Sequence, residues 1–122
     1  MAIYEGHIRA FTNGDKEAYW LIYDELASRI YVFAHSFVRQ KDWAAAIMRD
    51  AFSKLFAAHA RLSSENAIAN FLYVAARNRC LSELLEVKTH REESDEDFTR
   101  RVMDAEEVYR LHKKLQDDKL RF

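Results

Sequence analysis

Proline is absent from the 122 residues of the chain, and glycine occurs only at positions 6 and 14. From Asp15 onward, therefore, no residue breaks a helix by backbone geometry alone. A sheet protein of this length needs a tight turn every 8–12 residues or so, and those turns draw on Gly and Pro. The fold class expected is all-α. The length suits one domain, or one domain with an arm.

Apolar spacing divides the chain into helices. Residues 15–40, "DKEAYWLIYDELASRIYVFAHSFVRQ", carry Ala18, Ile22, Leu26, Ile30, Phe33 and Phe37 at steps of three and four, one stripe of a 3.6-residue helix. Asn13 or Asp15 is positioned to cap its start. In residues 43–60, Ala44, Ile47, Met48, Ala51, Phe52, Leu55 and Phe56 share a face, with Asp42 as the expected N-cap, and Ala45, Ala46, Arg49, Asp50, Ser53 and Lys54 share the other. The polar break "RLSSENA", 61–67, offers Ser63 or Ser64 as the cap of a third helix at about 66–87, which turns Ile68, Phe71, Leu72, Ala75, Leu81, Leu84 and Leu85 inward.

The stretch "VKTHREESDED", 87–97, has dense charge and no core pattern, so it reads as a solvated linker. A fourth helix is expected at about 96–118, started by a capping-box-like Ser94 and Asp97. Its thinner stripe is Phe98, Val102, Ala105, Val108, Tyr109 and Leu115, and Lys113 and Lys114 sit near its C-terminal end. The organisation expected is a three-helix domain over 1–88, a charged linker over 89–97 and a C-terminal helix within 98–122.

Several function classes find no support in the residues. The five histidines (His7, His35, His59, His90 and His112) are scattered and form no metal-binding spacing. Two isolated glycines cannot build a phosphate loop. Cys80 stands alone, which excludes an internal disulfide, suits a reducing cytoplasm and reads as a small buried hydrophobe. No apolar run approaches the ~20 residues that cross a bilayer, and the N-terminus lacks the apolar core of a signal peptide. The chain is read as a cytoplasmic protein without catalytic residues, cofactor or metal. With a net charge of −1, any nucleic-acid contact must rest on a local cluster of cations.

One such cluster lies in "NFLYVAARNRCLSELLE", residues 70–86, where Arg77, Asn78 and Arg79 are consecutive. On a helix they fan across roughly 200° and cannot all face a core. The arginines can reach phosphates and the amide can reach base edges, with Phe71 and Tyr73 one to two turns earlier. Equally, Arg79 and Arg77 can pair with acids such as Glu83 along the helix.

Three segments in order resemble domain two of the sigma-seventy family, within the extracytoplasmic function group of bacterial sigma factors. The resemblance covers about residues 8–88. "FTNGDKEAYWLIYDELASRIYVFAHSFVRQKDWA" resembles the family's first long helix with its Gly-Asp-x-x-Ala start. "AAAIMRDAFSKLF" resembles Ala-Glu-Asp-Ile-Val-Gln-Glu-Val-Phe-Leu-Lys-Leu-Trp. "NFLYVAARNRCLSELLE" resembles the helix Trp-Leu-Tyr-x-Ile-Ala-Arg-Asn-Arg.

The resemblance implies a transcription-initiation factor that binds core RNA polymerase and opens the promoter minus-ten element. It places Ile47, Arg49, Asp50, Phe52 and Lys54 in a helix that docks on the clamp helices of the polymerase beta-prime subunit. It places Arg61, Ser63, Ser64 and Asn66 in the loop that receives a flipped base, and Phe71, Tyr73, Arg77, Asn78 and Arg79 in the promoter-contacting helix. An anti-sigma protein is a further implied partner, and the final helix would lead toward a second DNA-binding domain. The chain departs from the family where a Glu-Asp pair becomes Ala45-Ala46, where a Gln becomes Arg49, and where Ser82, Glu83 and Glu86 follow the Arg-Asn-Arg run. Those departures support an alternative: a degenerate sigma-like helical module for protein interaction, without promoter binding.

Overall fold

The computed structural model describes residues 5–91 and, beyond them, Glu96, Thr99, Arg100, Met103, Glu107, Arg110, Leu111 and Lys114, each helical and exposed. The order is α1 (Glu5–Thr12), α2 (Lys16–Val38), α3 (Lys41–Ala57), a single 3₁₀ turn (His59–Arg61) and α4 (Glu65–Arg91). The fold is all-α. Helices α2, α3 and α4 pack pairwise against one another, and α1 lies on α2 and on the 3₁₀ turn.

The α2 stripe expected from spacing is buried in full: Ala18, Ile22, Leu26, Ile30, Phe33 and Phe37. Asp15 caps α2, its Oδ1 accepting from the Glu17 N–H at 3.1 Å. The helix ends at Arg39, which adopts the left-handed conformation (φ 57°) and donates its backbone N–H to His35 O at 2.8 Å. Only Arg39 and Gln40 separate α2 from α3, so the two helices fold back as an antiparallel hairpin.

On α3 the buried side chains are Ala44, Ile47, Met48, Ala51, Phe52 and Leu55, while Phe56 is half-buried. The expected cap at Asp42 is corrected. The helix begins one residue before it, at Lys41, after Gln40, whose side chain makes no capping bond. Asp42 instead lies in the first turn, where a carboxylate favours the positive end of the helix dipole.

On α4 the cap is Ser64, whose Oγ accepts from the Ala67 N–H at 3.0 Å. The core stripe runs Ile68, Leu72, Ala76, Cys80 and Leu84, with Ala69 and Tyr73 beside it. Leu85, expected inward, is 55% exposed. Burial pushes the Cys80 thiol up to about 12, with the nearby Glu83 charge acting in the same direction, so it is an inert core group.

The expected linker is helical as far as Arg91. Among the side chains described, Leu84 is the last buried one, but Val87–Arg91 contain neither Gly nor Pro, and extending an existing helix is far easier than nucleating a new one. The expected cap at Ser94 and Asp97, the stripe of Phe98, Val102, Ala105, Val108, Tyr109 and Leu115, and Lys113 lie outside the described residues.

Helix α1 was not anticipated from the sequence. It ends in a Schellman arrangement: Gly14 (φ 89°) donates its N–H to Phe11 O at 2.8 Å, and Asp15 donates to Ala10 O at 3.0 Å. A side chain at Gly14 would sit in a disfavoured region, and its Cβ would meet His59 Cε1 at 3.2 Å. Gly14→Ala is therefore expected to destabilise the protein by ~1–2 kcal/mol, read as a lower urea midpoint with an unchanged m-value.

Candidate nucleic-acid interface

The C-terminal end of α3, the 3₁₀ turn and the first half of α4 enclose an open groove. One pocket of it, about 560 Å³, is lined by Lys54, Arg61, Asn70, Phe71, Val74 and Asn78 among others, a volume within the ~300–1,000 Å³ of small-ligand clefts. Helical spacing explains the α4 wall. Asn70, Val74 and Asn78 recur every four residues, and Phe71 precedes Asn78 by seven, so all four project to one side. Arg61 enters from the 3₁₀ turn and Lys54 from the last two turns of α3.

The segment carrying Arg61 is held by α1. The Thr12 hydroxyl lies 2.7 Å from Leu62 O and 2.9 Å from Ile8 O, so its proton is offered to both carbonyls. His59 Nδ1 is 2.8 Å from Thr12 O; a carbonyl only accepts, so this nitrogen carries the proton. The imidazole also lies tilted against Phe56, with centroids 5.6 Å apart, and edge-on to Phe11 at 6.4 Å. These contacts fix the polypeptide on both sides of Arg61.

The residues assigned to promoter contact separate into several environments. Arg61, Phe71 and Asn78 line the groove. Ser63, Ser64 and Asn66 are exposed and lie off its lining, and Ser64 serves as the cap of α4. Tyr73 is a correction: it is 4% exposed and packs edge-on to Phe33 at 5.3 Å, so it cannot stack on a base. Burial raises its phenol pKa, a rise that the Arg29 charge partly offsets. Arg79 forms an ion pair with Glu83 at 2.9 Å, the guanidinium side half-exposed. That is the intrahelical pairing weighed against phosphate contact. Arg77 is half-buried.

The residues assigned to polymerase docking separate as well. Ile47 and Phe52 are 2% and 1% exposed and belong to the core, which corrects their placement on a docking face. Phe52 packs edge-on to Tyr23 (4.8 Å) and Tyr19 (6.4 Å) of α2. Arg49 and Lys54 are exposed and Asp50 is half-buried. Lys54 Nζ is 3.0 Å from Asp50 Oδ2, and Lys54 also lines the groove beside Arg61 and Asn78.

Asn70 and Val74 were not singled out from the sequence. Their signal is the spacing 70, 74, 78 along α4, visible once Asn78 is taken as the reference rather than its neighbours Arg77 and Arg79. Among the described residues no cluster of His, Cys, Asp and Glu could hold a metal, and no helix is long and apolar enough to cross a membrane. Against known proteins, the chain matches no family model, no curated protein and no solved structure.

Proposed function

We propose that the chain is a sigma region-two-like domain that binds core RNA polymerase and holds unpaired promoter DNA. The observation that carries this reading is the groove, which joins two cations (Lys54 and Arg61), two amides (Asn70 and Asn78) and an aromatic ring (Phe71). An unstacked base needs a flat apolar surface and hydrogen-bonding groups at its edge, and its phosphates need nearby cations. The site works by binding energy, with no reacting group: strand separation is favoured because the open strand gains contacts that the duplex cannot make. The resemblance in three ordered segments supplies the larger setting, with polymerase as the carrier of the domain.

A second reading, the protein-interaction module, draws on the outward face of α3. Ala46 is exposed, Ala45 half-buried, and the acid Asp50 is engaged by Lys54, so this face presents little negative charge to a basic partner. One experiment separates the two readings. The chain is titrated into labelled single-stranded and duplex oligonucleotides at low salt, and tested in parallel for retention by core polymerase. Preference for the single strand together with polymerase retention is the expected result. Retention without strand binding favours the interaction module, and neither signal from a folded sample removes the sigma reading. If Ala45→Glu with Ala46→Asp does not raise polymerase retention, α3 is not the docking surface.

A further inference from the structure

The groove has a second lobe. A pocket of about 470 Å³ is lined by Lys54, Ala57, Ala58, Ala60, Arg61 and Phe71. Lys54, Arg61 and Phe71 line both lobes and so mark the boundary between them. The lobes differ in chemistry. The first offers the side-chain amides of Asn70 and Asn78. The second is walled by three alanines and has no polar side chain apart from the two boundary cations.

We propose that the two lobes together hold a dinucleotide step of a single DNA strand, one base read at its edge by Asn70 and Asn78 and the adjoining base held unread against Ala57, Ala58 and Ala60. This rests on the reading of the chain as a binder of unpaired DNA and adds to it a second base site with a different rule.

The arrangement of charge carries the assignment. In a dinucleotide the linking phosphate lies between the two bases, and here the cations lie between the two lobes. Lys54 is engaged by Asp50 within α3 at 3.0 Å, but its side chain is 54% exposed. The paired Asp50 oxygen is shut away from solvent, so the pair is kept, and the exposed ammonium turns its remaining N–H donors to a phosphate. Arg61 is exposed and makes no ion pair among the described residues. Phe71, half-buried at the boundary, supplies an aromatic face to either base. An alanine wall gives shape and apolar contact without side-chain donors or acceptors, so it accepts any base.

The test uses the full chain and the tightest-binding 12-nucleotide strand selected by it from a random pool. An abasic site is walked along that strand, and each base is then replaced by the other three, with affinity read by fluorescence anisotropy. Two adjacent positions are expected to lose ~5–150-fold when abasic. At one of them base identity also matters, and at its neighbour the four bases bind alike. Ala57→Trp and Ala60→Trp, at exposed positions, fill the second lobe. Each is expected to erase the abasic effect at the tolerant position while the base preference at the other persists, with far-UV circular dichroism unchanged. A single sensitive position, or two positions both selective for base identity, overturns the proposal, as does an abasic profile unaltered by both tryptophans. A pool that yields no binder to the folded protein overturns the single-strand reading itself.

Discussion

Phe52→Ala is expected to cost ~3–5 kcal/mol of folding stability, a large share of the ~5–15 kcal/mol that holds a typical domain together. Phe52 is 1% exposed and fits between two tyrosines of α2, with ring centroids at 4.8 and 6.4 Å in edge-to-face geometry. Truncation removes buried area, leaves a cavity bounded by rings that cannot collapse into it, and deletes both aromatic contacts. The measurement is urea denaturation followed by circular dichroism, and a drop in midpoint corresponding to less than ~1 kcal/mol contradicts the packing described. Phe52→Leu keeps most of the volume and is expected to lose roughly half as much or less. The pair of variants also bears on polymerase docking. If Phe52→Ala releases polymerase only where it unfolds, and Phe52→Leu retains it, the residue acts through the core and not as a contact.

The sequence is an uneven guide to this molecule, and the reasons are physical. On α2 the buried positions are large and evenly spaced, so Ile22, Leu26, Ile30, Phe33 and Phe37 announce one face. On α4 the core stripe includes Ala76 and Cys80, with the buried Ala69 beside it, and these small side chains lie where α4 packs against both α2 and α3. Small residues permit that close approach but carry a weak hydrophobic signal. The eye goes instead to Phe71 and Leu85, which lie at the edge of the core and on the surface. Tyr73 shows the opposite case: nearness in sequence to the Arg-Asn-Arg run and the family resemblance put it with the promoter contacts, while its ring fills the space beside Phe33.

Helix α1 shows a different limit. Eight residues are too few to be stable alone, and what holds α1 is tertiary: Ile8 and Phe11 in the core, Gly14 in its left-handed turn, and the Thr12 and His59 bonds to a segment nearly 50 residues away. Such contacts have no local signature. The groove was legible in part for the related reason that adjacency in sequence is not adjacency on a helix. Arg77 and Arg79 flank Asn78 in the chain, but each is turned by about 100° from it, and Arg79 reaches Glu83 instead. The lining comes from residues three, four or seven apart, joined by Arg61 and Lys54 from other elements.

Asn78→Ala is the variant expected to affect recognition most selectively. Asn78 is exposed and lines the groove with Asn70, Lys54 and Arg61, so its truncation leaves the core untouched and the unfolding midpoint within experimental error of the parent. A side-chain amide offers a donor and an acceptor side by side, and a good bidentate contact to a base edge is worth ~1–3 kcal/mol of discrimination, or ~5–150-fold in affinity. The loss is expected for the preferred strand and not for a strand already lacking that base. Because the amide is neutral, the slope of log affinity against log salt is expected to stay the same. Arg61→Ala is expected to do the reverse, lowering affinity across sequences and reducing the slope by ~0.7 for a single strand. Arg79→Ala is expected to change the slope less than Arg61→Ala, since Glu83 already neutralises that guanidinium at 2.9 Å. Base preference and affinity that both survive Asn78→Ala would place recognition outside this groove. A salt slope that falls with Asn78→Ala would mean that the amide orders a cation and does not itself meet the base.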